Sequence, residues 1–177
     1  MRKLIIGFTG LLASGKGTAT KYLEERYGAS SYRFSTMLRD ICRRLYLEQT
    51  RDHMVRLSES LRATFGEDIL SKIIAKDAET DINRIVVIDG LRRPADLDHL
   101  KMLPNFVLIA ISAEPKIRYE RLVKRGENPD DRTKTYEQFL ADHERSTEKS
   151  ILETIPLAKE TIDNNGTLAD LHQRLDE

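Results

Sequence analysis

The segment Gly10-Leu11-Leu12-Ala13-Ser14-Gly15-Lys16-Gly17-Thr18 carries the clearest chemistry in the chain, with G-x-x-x-x-G-K spacing followed by Gly and Thr. Glycines let a short loop turn its backbone N–H groups inward and cradle an anion. A helix starting at the end of that loop aims its positive end at the same anion. Lys16 adds a point charge over the outer phosphates of a nucleotide. The motif is informative only between a buried strand and a helix. Both flanks are present here: Leu4-Ile5-Ile6-Gly7-Phe8-Thr9 is an apolar run, and Thr18 to Tyr27 reads as a helix ended by Gly28.

A second candidate is an acid. Ile85-Val86-Val87-Ile88-Asp89 is an apolar strand ending in a carboxylate. At the carboxyl end of a parallel strand, such a group faces the ligand crevice and can hold Mg²⁺ beside bound phosphates. Arg92 and Arg93 follow it directly. A planar guanidinium suits bidentate phosphate binding, so one of the two is expected inside the site and the other in solvent. Arg118, Arg121 and Arg125 lie on one predicted helix, and Arg121 and Arg125 share a face. Fixed cations of this kind stabilise the charge spread over a migrating phosphoryl group.

The elements that must position these residues alternate short apolar runs with amphipathic stretches. Strands are expected near 4–9, 32–34, 84–89, 106–111 and 161–163. Helices are expected at 18–27, from Ser35 or Thr36 to about 47, at 52–64, 67–80, 94–102, 114–125 and 136–152, and from 168 onward. Strands separated by helices imply a parallel, doubly wound sheet. The predicted fold is therefore three-layer α/β/α with a five-stranded parallel sheet in one domain. Its core covers 1–34, 81–125 and 136–177. A helical insert fills about 35–80, and a short polar lid fills about 126–135.

On these motifs the chain resembles the P-loop nucleoside monophosphate kinases, the adenylate and cytidylate kinases and the poorly characterised adenylate-kinase-related proteins. Gly-Lys-Gly-Thr is the adenylate kinase form of the loop, and Ala13 stands where many members carry a third glycine. The resemblance implies ATP bound by Gly10, Ala13, Ser14, Gly15, Lys16, Gly17 and Thr18, with Mg²⁺ held mainly by phosphates and water and by Asp89 and Thr18. Asp89-Gly90-Leu91-Arg92-Arg93 resembles the D-G-x-x-R segment that binds the acceptor phosphate, which matches Arg93; the D-x-x-R variants match Arg92. Ser35-Thr36-Met37-Leu38-Arg39 resembles the segment opening the acceptor helices, which makes Arg39 an acceptor ligand. Leu61 to Gly66 adds Arg62 as a weaker candidate. By the same resemblance Arg121 stacks on adenine, Arg125 touches the transferred phosphate, and Asn164-Asn165-Gly166 meets the adenine ring, with Asn165 assigned to it. Lys16, Arg93, Arg121 and Arg125 are the implied catalytic residues. Gly126 to Arg132 forms the lid, from which Arg132, with Arg145 beyond it, would reach inward.

Composition narrows the rest. The 177 residues carry 29 Lys+Arg and 29 Asp+Glu, a balance that argues against gripping a nucleic-acid backbone. Aromatic content is 6% with no tryptophan, too little for a base-stacking platform. His53, His99, His143 and His172 show no metal-ligand spacing. The single cysteine, Cys42, excludes an internal disulfide and reads as a buried small hydrophobe. The basic start and apolar run of residues 1–13 are explained by a strand entering a glycine loop rather than by a signal peptide. The expected partners are small-molecule nucleotides in the cytoplasm, with no nucleic acid and no membrane, for a monomer or small homo-oligomer. Two other readings stay open: a dephospho-coenzyme A kinase or other small phosphate-acceptor kinase, and a nucleotide-driven ATPase or switch acting on a partner.

Overall fold

In a computed structural model, which describes residues 3–126, 131–144 and 146–177, the first strand β1 (Leu4–Thr9) lies at the centre of a five-stranded sheet. It is followed by α1 (Lys16–Tyr27), β2 (Ser30–Tyr32), α2 (Phe34–Arg44), α3 (Arg51–Phe65) and α4 (Ile69–Thr80). Then come β3 (Ile85–Asp89), β4 (Phe106–Ser112), α5 (Pro115–Arg125), α6 (Tyr136–Ala141), α7 (Ser146–Thr154), β5 (Glu160–Asp163) and α8 (Leu168–Asp176). Strand order is β2-β3-β1-β4-β5 and each pairing is parallel. The expected three-layer α/β/α architecture is what the chain forms.

The sheet is buried on both faces because its strands are apolar at successive positions. Ile5, Val86, Ile88 and Leu108 pack with Ile74, Ala75 and Ala78 of α4 on one face. Ile6, Phe8, Val87 and Ile111 pack with Ala19 and Leu23 of α1 on the other, where Leu175 of α8 also lies. Each buried aliphatic side chain of this kind contributes about 1.5–3 kcal/mol. Cys42 is fully buried, as its residue type suggests. Among the described residues, no helix is long and apolar enough to cross a membrane.

Three local expectations are corrected. The predicted helix 94–102 is two short 3₁₀ turns, Pro94–Leu97 and Leu100–Met102. Ser71 of α4 explains the break: its hydroxyl donates to the Asp96 carbonyl at 2.8 Å and accepts from His99 N–H at 3.3 Å. Those are groups that an α-helix would bond internally. The predicted helix 136–152 is likewise interrupted by a 3₁₀ turn, Asp142–Glu144. There the His143 ring takes the Phe139 and Leu140 carbonyls, at 3.0 and 3.2 Å. Finally, β2 ends at Tyr32, so α2 starts at Phe34 with Arg33 as its extended N-cap, and Ser35 and Thr36 fall inside the first turn.

Candidate functional site

The crevice forms where β1 and β3 end side by side, since Phe8 pairs with Asp89 in the sheet register. Thr9, fully buried, donates through its hydroxyl to the Leu91 carbonyl at 2.8 Å and ties the two exits together. From β1 the chain enters the phosphate loop. Gly10 and Gly15 have φ of 143° and 113°, and a side chain at either would be strained. A Cβ at Gly10 would run into the Ile111 carbonyl, and one at Gly15 would overlap Asn164 Nδ2. Ala13 adopts φ 61°. A non-glycine residue in that region costs about 1–3 kcal/mol. Gly15 lies just before the first turn of α1, so the positive end of the helix faces the loop.

Lys16 folds back over the loop and donates to the carbonyls of Gly10 (2.6 Å) and Leu11 (3.1 Å). Its pKa is pushed down from 10.5 to about 8, first by desolvation. Asp89 and Glu148 oppose that shift, and the charges of Arg92 and Arg118 add to it. A lysine held in this condition gains a partner when an anion arrives. Ser14 is buried with its hydroxyl unpartnered, pointing to a missing acceptor at the loop. Gly17 and Thr18 are exposed at the start of α1.

Asp89 is 8% exposed and accepts from Arg33 Nη2 at 2.6 Å through Oδ2. Its Oδ1 is buried and has no partner. A half-satisfied buried carboxylate beside a phosphate loop fits a magnesium ion or its water. Among the described residues, no three His, Cys, Asp or Glu side chains converge on one point.

The arginines singled out by the motifs fall in different settings. Arg92 and Arg93 are both exposed, so the expectation that one of them is buried is corrected. Their backbone N–H groups each donate to Asp96 Oδ2 at 3.1 Å, which turns the segment outward after β3. The charge of Arg92 acts on Lys16, which favours it over Arg93 at the loop. Arg39 is exposed on α2. Arg62 of the insert, its side chain 10% exposed, reaches Asp96 Oδ1 at 3.4 Å, and its Nε is buried without a partner. On α5, Arg121 donates to the Gly166 carbonyl at 3.4 Å and leaves Nη1 buried without a partner. Arg125 lies one turn further along α5. Arg132 packs against Gly126. Of the lid, Glu127, Asn128, Pro129 and Asp130 lie outside the described residues, as does Arg145.

Several contacts around the loop were not legible in the motifs. Asn164, not Asn165, touches the loop: its Nδ2 donates to the Ser14 carbonyl at 2.8 Å. Asn165 instead accepts from Glu114 N–H at 2.7 Å. Arg118 is 2% exposed and donates to the carbonyls of Leu12 (3.2 Å) and Ala113 (3.0 Å) and to His143 Nε2 (2.8 Å). Because arginine can only donate, His143 carries its proton on Nδ1. Glu148 of α7 accepts from Leu12 N–H at 3.3 Å. Arg118 and Glu148 thus hold the loop tip from two different helices. The Asn-Asn-Gly turn announced Asn164 only as a neighbour. Arg33, directly after a weak strand, and Glu148, inside an amphipathic helix, carried no signal.

Comparison with known proteins agrees with this architecture. Residues 9–139 match a protein-family model described as an AAA domain. The UPF0200 protein of Sulfurisphaera tokodaii is 29% identical over 175 residues, covering 98% of this chain and 94% of its own length. That of Hyperthermus butylicus is 31% identical over 137 residues, covering 77% and 72%. TT1252 from Thermus thermophilus shares the fold with a TM-score of 0.66 at 17% identity, over 99% of this chain and 96% of its own. Shikimate kinase from Bacteroides thetaiotaomicron does so with a TM-score of 0.63 at 15% identity, over 98% and 96%. At such identities these structures speak for a kinase-like fold alone.

Proposed function

The chain belongs to the AAA-domain family and to the UPF0200 proteins, and from that premise we propose that it transfers the γ-phosphoryl group of Mg-ATP to a nucleoside or deoxynucleoside monophosphate, giving ADP and the diphosphate. One observation carries this reading. Around a lysine whose pKa has fallen to about 8, the crevice holds two unpartnered buried groups, Ser14 Oγ and Asp89 Oδ1. Unsatisfied groups of opposite character, a hydroxyl donor and a carboxylate acceptor, suit a polyphosphate that arrives with its cation.

The residues then divide the work. Backbone N–H groups of the loop from Ala13 to Thr18 and the start of α1 hold the β-phosphate. Lys16 exchanges the Gly10 and Leu11 carbonyls for phosphate oxygens and follows the charge as it develops. Arg121 with Asn165 lies at the adenine end, and Arg125 extends the same face of α5 toward the transferred group. Arg92, Arg93 and Arg39 supply cations on the acceptor side. Asp89, with Thr18, would hold Mg²⁺, which when bound neutralises charge on the β- and γ-oxygens. No general base is needed, because the acceptor phosphate is already anionic.

The test mixes the protein with Mg-ATP and a panel of ribo- and deoxyribonucleoside monophosphates plus dephospho-coenzyme A. ADP formation is measured against a blank without acceptor. One nucleoside monophosphate should raise turnover at least tenfold, and Lys16→Ala should abolish it. Equal ADP in the blank, with no acceptor phosphorylated, would refute the kinase reading in favour of an ATPase. Stimulation by dephospho-coenzyme A alone would replace the acceptor.

A further inference from the structure

We propose that Arg33 is the ligand for an anionic acceptor and the residue that selects it over a neutral hydroxyl acceptor; this rests on the phosphotransfer reading above. Arg33 is the N-cap of α2, at the point where the chain leaves the sheet for the helical insert. Its guanidinium crosses the end of β3 to Asp89, 2.6 Å from Oδ2. It also hangs over the start of α1, where a methyl group on Gly17 would lie 3.6 Å from Nη2. One side chain therefore borders the phosphate loop, the candidate metal carboxylate and the insert together.

Its state is that of a group waiting to exchange partners. The Asp89 side chain is 9% exposed, whereas that of Arg33 is 47% exposed. The guanidinium can turn toward solvent without disturbing the core, and the carboxylate cannot follow. A phosphate offers the same fork geometry as a carboxylate with more charge. When such an anion enters the crevice, Arg33 passes from Asp89 to the anion. Asp89 is then left with both oxygens free for the cation that accompanies ATP.

The same geometry disfavours a hydroxyl acceptor. Transfer to a hydroxyl requires a proton acceptor near the attacking oxygen. The carboxylates beside Lys16 have other tasks: Asp89 holds Arg33 through Oδ2 and offers its unpartnered Oδ1 to the cation, and Glu148 accepts from Leu12 N–H. An acceptor whose attacking oxygen belongs to a phosphate or another acid needs no such base, and it supplies the negative charge that Arg33 and Arg92 would meet.

Adenosine 5′-tetraphosphate tests this without knowledge of the acceptor's base, since it would carry one phosphate beyond the three of ATP. Calorimetry would compare it with the non-hydrolysable ATP analogue AMPPNP, in wild type, Arg33→Met and Arg33→Lys. Wild type should bind the tetraphosphate at least tenfold more tightly. Arg33→Met should bring the ratio of its two affinities, tetraphosphate over AMPPNP, close to one, and Arg33→Lys should keep part of the advantage. Unchanged thermal melting without nucleotide checks the fold of each variant. Equal weakening of both ligands, or of neither, would overturn the assignment. So would a wild type that binds both equally, although nucleotide binding at the loop would then survive. A wild type that binds neither ligand would overturn the phosphotransfer reading, and this inference with it.

Discussion

Raising the pH from 7 to 9 should weaken ADP binding about tenfold, because the loop binds phosphate through a lysine that loses its proton within that range. In the free protein Lys16 has a pKa of about 8, against an ordinary 10.5. Phosphate oxygens in place of the Gly10 and Leu11 carbonyls restore the charged form, so the bound value returns to the ordinary range or above it. The gap corresponds to about 3.4 kcal/mol of protonation free energy. At pH 7 about nine molecules in ten hold the proton before binding, and at pH 9 only about one in eleven. Calorimetry with magnesium chelated, in two buffers of different ionisation enthalpy, should show about 0.9 proton taken up per ADP at pH 9, where the phosphates of free ADP are already fully ionised. Lys16→Arg, which keeps its charge throughout, should bind with no such slope. Stability should move the other way. Between about pH 8 and 10.5 the unfolded chain binds the proton that the native one has released, so the nucleotide-free protein gains stability as pH rises through that window. An ADP affinity that changes less than twofold from pH 7 to 9 would refute the reasoning.

Glu148→Gln keeps an acceptor for Leu12 N–H but removes a charge that raises the Lys16 pKa. The inflection in ADP affinity should therefore shift to lower pH, read from the same titration. Gly15→Ala places a Cβ against Asn164 Nδ2 at φ 113°. It should cost about 1–3 kcal/mol in chemical denaturation and abolish nucleotide binding. Arg118→Met leaves the Leu12 and Ala113 carbonyls without their donor in a buried setting. Urea unfolding should show a loss of about 2–4 kcal/mol, with ADP affinity falling alongside it as the loop tip loosens.

The sequence alone determined the parts whose physics is local. An apolar run before a glycine loop and a helix after it can form only a strand, a cradle and a dipole pointed at an anion, and that unit folded as read. The strands at 85–89 and 106–112 and the helices from 51 to 80 were legible for the same reason, since their apolar periodicity is set within a few residues. What failed was set by distant groups. Ser71 unwinds the stretch 94–102 by taking two of its backbone groups, and the His143 ring does the same after α6. The arginines show the limit most plainly. Residue type said that guanidinium groups would face a phosphate, but not which of them would. Arg62 and Arg118 reach Asp96 and Leu12, Arg92 and Arg93 are exposed, and Arg33 crosses to Asp89 only because β2 lies beside β3. A charge buried between elements depends on which strands are neighbours, and strand order is a property of the assembled sheet rather than of any segment within it.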